Sequence, residues 1–142
     1  ERLRLAARSL GMGDRCLSAS LQHARNRVTF GQPLSSRQAI QWMLVDISIK
    51  LRVATWLTLE AAWKADAGLP YYDGAASAKW AATRMAFEAA DVAIQVHGGY
   101  GVCREFPFES FYREARLMRL LYGRDVEIER AIAVTSVTSQ RV

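Results

Sequence analysis

Little in this 142-residue sequence is suited to covalent or metal-held stability. It has two cysteines, Cys16 and Cys103, far apart and in no Cys-x-x-Cys pair. That excludes a disulfide scaffold and a thiolate metal site of familiar spacing, and it predicts free thiols in a reducing compartment. No apolar run reaches the ~18 residues of a membrane-spanning helix. Blocks of like charge are also missing. The basic residues are scattered singly, and no RNA- or DNA-binding signature occurs, so nucleic acid is not an expected partner. Nor does the chain open on a charged-then-apolar leader. It starts at Glu1 inside what reads as a helix, and it is expected to be a piece of a longer protein.

What is present is ordinary for a soluble domain: 51% hydrophobic residues, 23% charged, and a formal charge of +5. The length suits one compact domain. All basic residues except Lys50, Lys64 and Lys79 are arginines. Arginine is the planar donor fork suited to phosphates and carboxylates, so phosphate-bearing cofactors are one class of partner.

The apolar spacing is helical throughout, with no strand-like alternation. Leu3, Leu10, Leu17 and Ala24 recur every seven residues, with Ala7, Leu21 and Val28 on the same side, which predicts one long amphipathic helix. Gly11 and Gly13 would weaken it by about 1 kcal/mol each unless a neighbouring helix needs close approach there. Phe30-Gly31-Gln32-Pro33 ends it. Ser35 and Gln38 form a plausible capping box for a second helix. Its buried face runs through Ile40, Met43, Leu44, Ile47, Leu51, Ala54, Thr58, Ala61 and Ala65 to a stop at Gly68-Leu69-Pro70.

Asp73 is placed to cap a third helix with an alanine-rich stripe: Ala78, Ala82, Met85, Ala89, Val92 and Val96. A fourth carries Phe108, Phe111, Ala115 and Met118. Gly123 breaks it, and a fifth runs from about Val126 to the mid-130s, with Thr138 to Val142 free to fray. Trp42, Trp56, Trp63 and Trp80 read as packing groups and His23 as a surface residue, with His97 a hydrogen-bonded loop histidine. The expected fold is all-α, an antiparallel bundle of three long and two shorter helices over residues 1–142.

The connectors are more specific than the helices. Arg27-Val28-Thr29-Phe30-Gly31-Gln32-Pro33-Leu34, followed by Gln38, resembles the Arg-x-x-Phe-Gly-x-Pro-Leu…Gln segment of acyl-CoA dehydrogenases. Gln95-Val96-His97-Gly98-Gly99-Tyr100-Gly101 is similar to the family's Gly-Gly-x-Gly turn. Glu105-Phe106-Pro107, Tyr112-Arg113-Glu114-Ala115-Arg116 and Glu127-Ile128-Glu129-Arg130 resemble the elements that follow it, in order and with family spacing to about residue 134.

The resemblance implies that this is the C-terminal helical domain of a three-domain flavoenzyme, with an N-terminal helical domain and a middle β-domain elsewhere in the protein. It implies FAD as cofactor, an acyl-CoA thioester as substrate, and α,β-desaturation as the reaction. An electron-transfer flavoprotein would accept the electrons, and a homotetramer arranged as a dimer of dimers would carry FAD across the subunit boundary. A cytoplasmic location in a bacterium, or else the mitochondrial matrix, is implied, the former favoured. The isolated chain is expected to be inactive. Two alternatives share the fold: a non-catalytic partner subunit of a hetero-oligomer, and a flavin oxidase or monooxygenase.

Carried over residue by residue, the resemblance gives Arg27 as the ligand of the FAD pyrophosphate, by charge-assisted bonds to phosphate oxygens. The other reading of Arg27 is a cation at a helix C-terminus. Thr29 is a cofactor neighbour, and Phe30 is both wall and core. Gln38 is either a flavin contact or the capping partner of Ser35. Gln95, Gly98 and Gly99 match the turn that receives the adenosine half, where glycine lets backbone N–H groups approach a ligand.

One element departs from the family pattern. Many relatives read Tyr-Glu-Gly-Thr-Ser-Glu where this chain has Tyr122-Gly123-Arg124-Asp125-Val126-Glu127. Asp125 stands at a usual cofactor contact, and Gly123 replaces a glutamate that acts as base. Relatives similar to isovaleryl-CoA and long-chain acyl-CoA dehydrogenases carry the base on the domain's first helix. The matching residue is Glu1, the candidate base, with Arg2 at a position near the CoA moiety. A first-turn acid favoured by the helix dipole is the structural alternative for Glu1.

Overall fold

A computed structural model of the chain describes residues 1–138, with side chains through residue 135. Five α-helices account for nearly all of it: α1 (Arg2–Asn26), α2 (Gln38–Asp66), α3 (Tyr72–His97), α4 (Phe108–Met118) and α5 (Asp125–Thr138). The expected three long and two shorter helices are all present. Of the stretch Thr138 to Val142 expected to fray, Thr138 is the last residue of α5, and residues 139–142 lie outside the described residues.

Helix α3 is the centre, packed against α1, α2, α4 and α5. Its sequence explains why. Ala75, Ala76, Ala78, Ala82, Ala86, Ala89, Ala90 and Ala93 are all buried, so small side chains on more than one face let neighbours approach from several directions. Bulk enters from those neighbours, as Ile47 of α2 and Phe108 and Met118 of α4, each no more than 2% exposed. Each such side chain contributes about 1.5–3 kcal/mol by leaving water. Gly13 lies where α1 meets α3, and a Cβ there would sit 2.4 Å from the Met85 sulfur. Close approach is therefore the reason for that glycine, whereas Gly11 is exposed and faces open space. Buried hydroxyls turn back on their own helices: Ser9 Oγ donates to Leu5 O, Thr58 Oγ1 to Ala54 O, and Thr83 Oγ1 to Lys79 O.

Four local expectations are corrected. Between α1 and α2 the chain forms a small hairpin, β1 (Val28–Thr29) paired antiparallel with β2 (Gln32–Pro33). Strands of two residues are too short to show alternation. Phe30 (φ 50°) and Gly31 (φ 76°) supply the pair of positive φ values that a two-residue I′ hairpin turn requires. Phe30 is therefore 98% exposed at the tip and belongs to no core of this chain.

The Ser35–Gln38 capping box does not form. Leu34–Ser36 is a 3₁₀ turn, Arg37 is the N-cap of α2, and Gln41 Nε2 donates to Ser35 O instead. Asp73 lies inside the first turn of α3, whose N-cap is Tyr71. Trp42, Trp56 and Trp63 lie outside the core of this chain, being 62–69% exposed.

Candidate functional site

The two ends of the bundle carry different chemistry. At one end, the close of α1, the hairpin and the close of α3 border an open cleft of about 440 Å³. Arg27, Thr29, Gln95, Gly98 and Gly99 all line it, together with His23, His97, Tyr100 and Cys103. Residues almost seventy positions apart meet because α1 and α3 end at the same side of the bundle.

Arg27 is the C-cap of α1, its backbone N–H donating to His23 O at 2.8 Å. Its guanidinium is exposed and forms no ion pair among the described residues. The hairpin beside it is braced by Leu34 N donating to Arg27 O at 2.7 Å and by Arg37 Nη2 donating to Thr29 O at 3.0 Å.

The three glycines of the α3 exit differ in purpose. Gly98 has φ 62° and ψ −139°, a conformation for glycine alone, and terminates α3. Gly101 is needed for packing, since a Cβ would lie 2.6 Å from backbone atoms of Ile94. A Cβ on Gly98 or Gly99 would meet nothing within 4 Å, so packing does not demand Gly99, and its bare backbone faces the cleft. An unpaired guanidinium, bare glycine backbone and the Gln95 amide form a donor set that suits a phosphate-bearing dinucleotide such as FAD.

His23 and His97 form one wall, their ring centroids 4.2 Å apart. His97 is buried at the end of α3. Its Nδ1 lies 2.8 Å from Ala93 O, and since a carbonyl only accepts, that nitrogen carries a proton. The Phe108 ring also lies against it, tilted by 40° with centroids 4.4 Å apart. Burial, then His97 and Arg27, lower the pKa of His23 below the usual imidazole value of 6.5. His23 is thus half-buried in the cleft wall, not a free surface residue. Cys103 Sγ donates to Gly99 O at 3.3 Å, whereas Cys16 is buried in the core with its thiol raised to about 12. The sequence reading missed His23, Tyr100 and Cys103 as cleft residues. Their signal was adjacency to the two motifs.

At the opposite end a cleft of about 540 Å³ is lined by Glu1, Arg2, Leu3, Ala65, Tyr71, Tyr72, Ala75 and Tyr122. Glu1 is the N-cap of α1 but makes no side-chain cap bond, and its carboxylate accepts from Arg4 Nη1 at 3.2 Å. Arg2 Nε donates to Tyr122 O at 3.2 Å. A Cβ on Gly123 would lie 3.7 Å from Arg2 Nη2, so the Gly123 turn and the start of α1 adjoin one space.

Two sequence-predicted residues fall outside both clefts. Gln38 is exposed at the first position of α2 and lines neither. Asp125 opens α5, where its Oδ2 accepts from Arg84 Nε at 3.2 Å and Arg119 Nη2 at 2.5 Å. Burial would raise its pKa, but the bonds and charges of Arg119 and Arg84 outweigh that and hold it below the usual carboxylate value. Among the described residues no cluster of three or more His, Cys, Asp or Glu could hold a metal ion, and no helix is long and apolar enough to cross a membrane.

Known proteins share the sequence pattern and the fold. The profile of the acyl-CoA dehydrogenase C-terminal domain matches residues 1–137. A probable acyl-CoA dehydrogenase of Bacillus subtilis, YngJ, is 41% identical over 131 residues, 92% of this chain and 34% of that protein. The human mitochondrial short-chain specific acyl-CoA dehydrogenase is 37% identical over 131 residues, 92% of this chain and 32% of that protein. The structure of butyryl-CoA dehydrogenase from Megasphaera elsdenii superposes with a TM-score of 0.93 at 29% identity, covering 96% of this chain and 36% of that one. The chain thus spans about a third of the length of the relatives it matches. The bundle and these likenesses identify the chain as a member of the acyl-CoA dehydrogenase family, matching that family's C-terminal helical domain.

Proposed function

We propose that the protein carrying this chain is an FAD-dependent acyl-CoA dehydrogenase and that the chain serves two active sites, one at each end of the bundle. The observation that carries this reading is the convergence of Arg27, Thr29, Gln95, Gly98 and Gly99 on one cleft while Glu1 and Arg2 line another. Helix α1 separates them by 25 residues, about 37 Å at 1.5 Å per residue. A separation of that size favours a homo-oligomer in which the Arg27 end of one copy serves the site that another copy's Glu1 end completes.

At the first end, Arg27 pairs with pyrophosphate, and the exposed backbone of Gly98 and Gly99 with the Gln95 amide holds the adenosine half. At the second end, Glu1 removes the proton α to the thioester carbonyl, and Arg2 sits beside the CoA moiety. A carboxylate in that role must come within hydrogen-bond reach of the α-carbon, and Glu1, at the lip of the cleft, has no packing that fixes it elsewhere. FAD, when bound, supplies the hydride acceptor for the β-carbon. Gln38 lies away from the cleft and is assigned no flavin contact, and Asp125 is given a structural role between Arg84 and Arg119. Remaining domains of the protein close the acyl pocket, an electron-transfer flavoprotein takes the electrons, and the compartment is the bacterial cytoplasm or mitochondrial matrix.

A second reading, a non-catalytic subunit of a hetero-oligomer, rests on Asp125 being turned inward where relatives present a cofactor contact. The whole protein decides between them. Purified alone, it is expected to be yellow and to bleach on adding acyl-CoA. A colourless homo-oligomer that gains flavin only with a second polypeptide would support the other reading.

A further inference from the structure

Helices α1 and α3 both finish at the Arg27 cleft, so both turn their C-terminal carbonyls toward it. Each such helix end carries a partial charge of roughly −0.5, and the two together offset much of the charge on Arg27. A pyrophosphate dianion held at this end therefore needs more positive charge than one guanidinium supplies. Among the described residues no Asp or Glu lines the cleft, and the only groups besides Arg27 that can become cations there are His23 and His97.

The two imidazoles are not equivalent. Together they partition the cleft from a second opening of about 290 Å³, beside Gln22, Asn26 and Phe106, and they are the two residues common to both linings. His97 is buried and commits its Nδ1 proton to Ala93 O. It lies among Phe106 and Phe108, with ring centroids 5.6 and 4.4 Å away, and is a fixed platform. His23 rests on that platform with the ring planes 33° apart, and its own nitrogens make no hydrogen bond among the described residues. It stands four residues before Arg27 on α1, the spacing that puts two side chains on one helix face. His23 thus has the access, the free nitrogens and the neighbour needed to share an anion with Arg27.

The surroundings set the direction of the effect. In the chain alone, burial, His97 and Arg27 all disfavour the His23 cation. The other titratable groups that face it are Arg15 on α1, and Tyr100 and Cys103 on the turn after α3. The hairpin and the turn after it contribute only Thr29 and Leu34, and the start of α4 only Phe106, Pro107 and Phe108. None of these is a carboxylate, so among the described residues the lining holds no counter-ion for an imidazolium. A pyrophosphate paired with Arg27 supplies one, and it also cancels the opposition of the guanidinium.

We propose that His23 is a second phosphate contact of this cleft, taking a proton from solvent as the pyrophosphate of FAD binds, so that cofactor binding is coupled to proton uptake. The proposal rests on the flavoenzyme reading above and adds a residue and a pH dependence to it. The His23 cation is favoured more in the bound state than in the free one. Affinity is therefore greatest at low pH and falls as pH rises through the interval between the free and bound values, by roughly tenfold for each unit that separates them.

Calorimetry of FAD binding to the flavin-stripped whole protein, in two buffers of different ionisation enthalpy, counts the protons. At about pH 6 the protein should take up about half a proton or more per FAD, and at about pH 8 close to none, with Kd raised roughly tenfold. His23→Gln should bind without uptake, at the parent's affinity for the higher pH. His23→Arg, a fixed cation, should bind tightly at both. Flavin released from the holoenzyme on dilution gives a second reading: release should increase with pH in the parent and stay constant in His23→Arg. FAD binding without proton exchange at either pH, or uptake that survives in His23→Gln, would overturn the proposal and leave the flavoenzyme reading intact. A whole protein that takes up no FAD contradicts that reading itself, and the His23 assignment falls with it.

Discussion

Lys79 Nζ donates to the Gly123 carbonyl at 2.7 Å from a side chain with no solvent exposure, and the same ammonium reaches Arg119 O at 2.9 Å. One buried cation thereby gathers the close of α4 and the following turn. Burial lowers its pKa, Arg2 and Arg119 push the same way, and Asp125 and Glu127 oppose them. Arg2 grips the neighbouring Tyr122 carbonyl from the start of α1. The wall of the Glu1 cleft is therefore positioned by α3 and α1 together, while Glu127 accepts the backbone N–H of Arg124 at 2.9 Å and starts α5.

Replacing Lys79 by methionine keeps its bulk and strands two part-buried carbonyls. The expected loss is about 1.5–3 kcal/mol in urea unfolding, with faster amide exchange across residues 119–123. An unchanged midpoint would mean that the two bonds contribute nothing net.

Asp125 predicts an acid dependence. Its carboxyl is held below the ordinary value of 3.8, so its stabilisation is present above that pH and is lost as pH falls through the folded-state value. Asp125→Asn should cost about 1.5–3 kcal/mol at neutral pH. The difference from the parent should shrink below about pH 4. A gap that stays constant on acidification would remove the Arg84–Asp125–Arg119 cluster from the account.

For His23 the shift is downward, so its neutral form is favoured in the fold. That stabilisation is full above the ordinary value of 6.5 and declines as pH falls through the lower folded-state value. An NMR titration should give a midpoint below 6.5, moving upward in His97→Phe and in Arg27→Ala because each removes a neighbour that disfavours the cation. A midpoint insensitive to both would leave burial as the only cause.

The helices were legible because their apolar periods are long and their stops are Gly and Pro. The grouping of Arg27, Thr29, Gln95, Gly98 and Gly99 was legible because these residues sit in connectors that share one end of the bundle. The exposed tryptophans of α2 were not, because both faces of that helix are apolar and no periodicity states which face meets this chain. The hairpin was hidden by strands of two residues, and the capping box by a 3₁₀ turn that makes Arg37, not Ser35, the N-cap. Asp125 read as a cofactor contact by position, but Arg84 and Arg119 approach it from elements the sequence does not bring together locally.

Arg27→Ala in the whole protein should weaken FAD retention by removing a charge-assisted phosphate contact, with flavin released on dilution. Unchanged flavin stoichiometry and thermal midpoint would return Arg27 to a helix-terminal cation.

Glu1→Gln tests the central claim most directly. Stopped-flow measurement of flavin reduction by acyl-CoA in the whole protein should show reduction slowed about 10²–10⁴-fold, with FAD and acyl-CoA binding retained. Adding Gly123→Glu should restore part of the rate, because a side chain there starts beside Arg2. It should also lower stability, since φ at Gly123 is +113°. Reduction by Glu1→Gln at the parent rate would contradict the assignment of the base to the first residue of this chain.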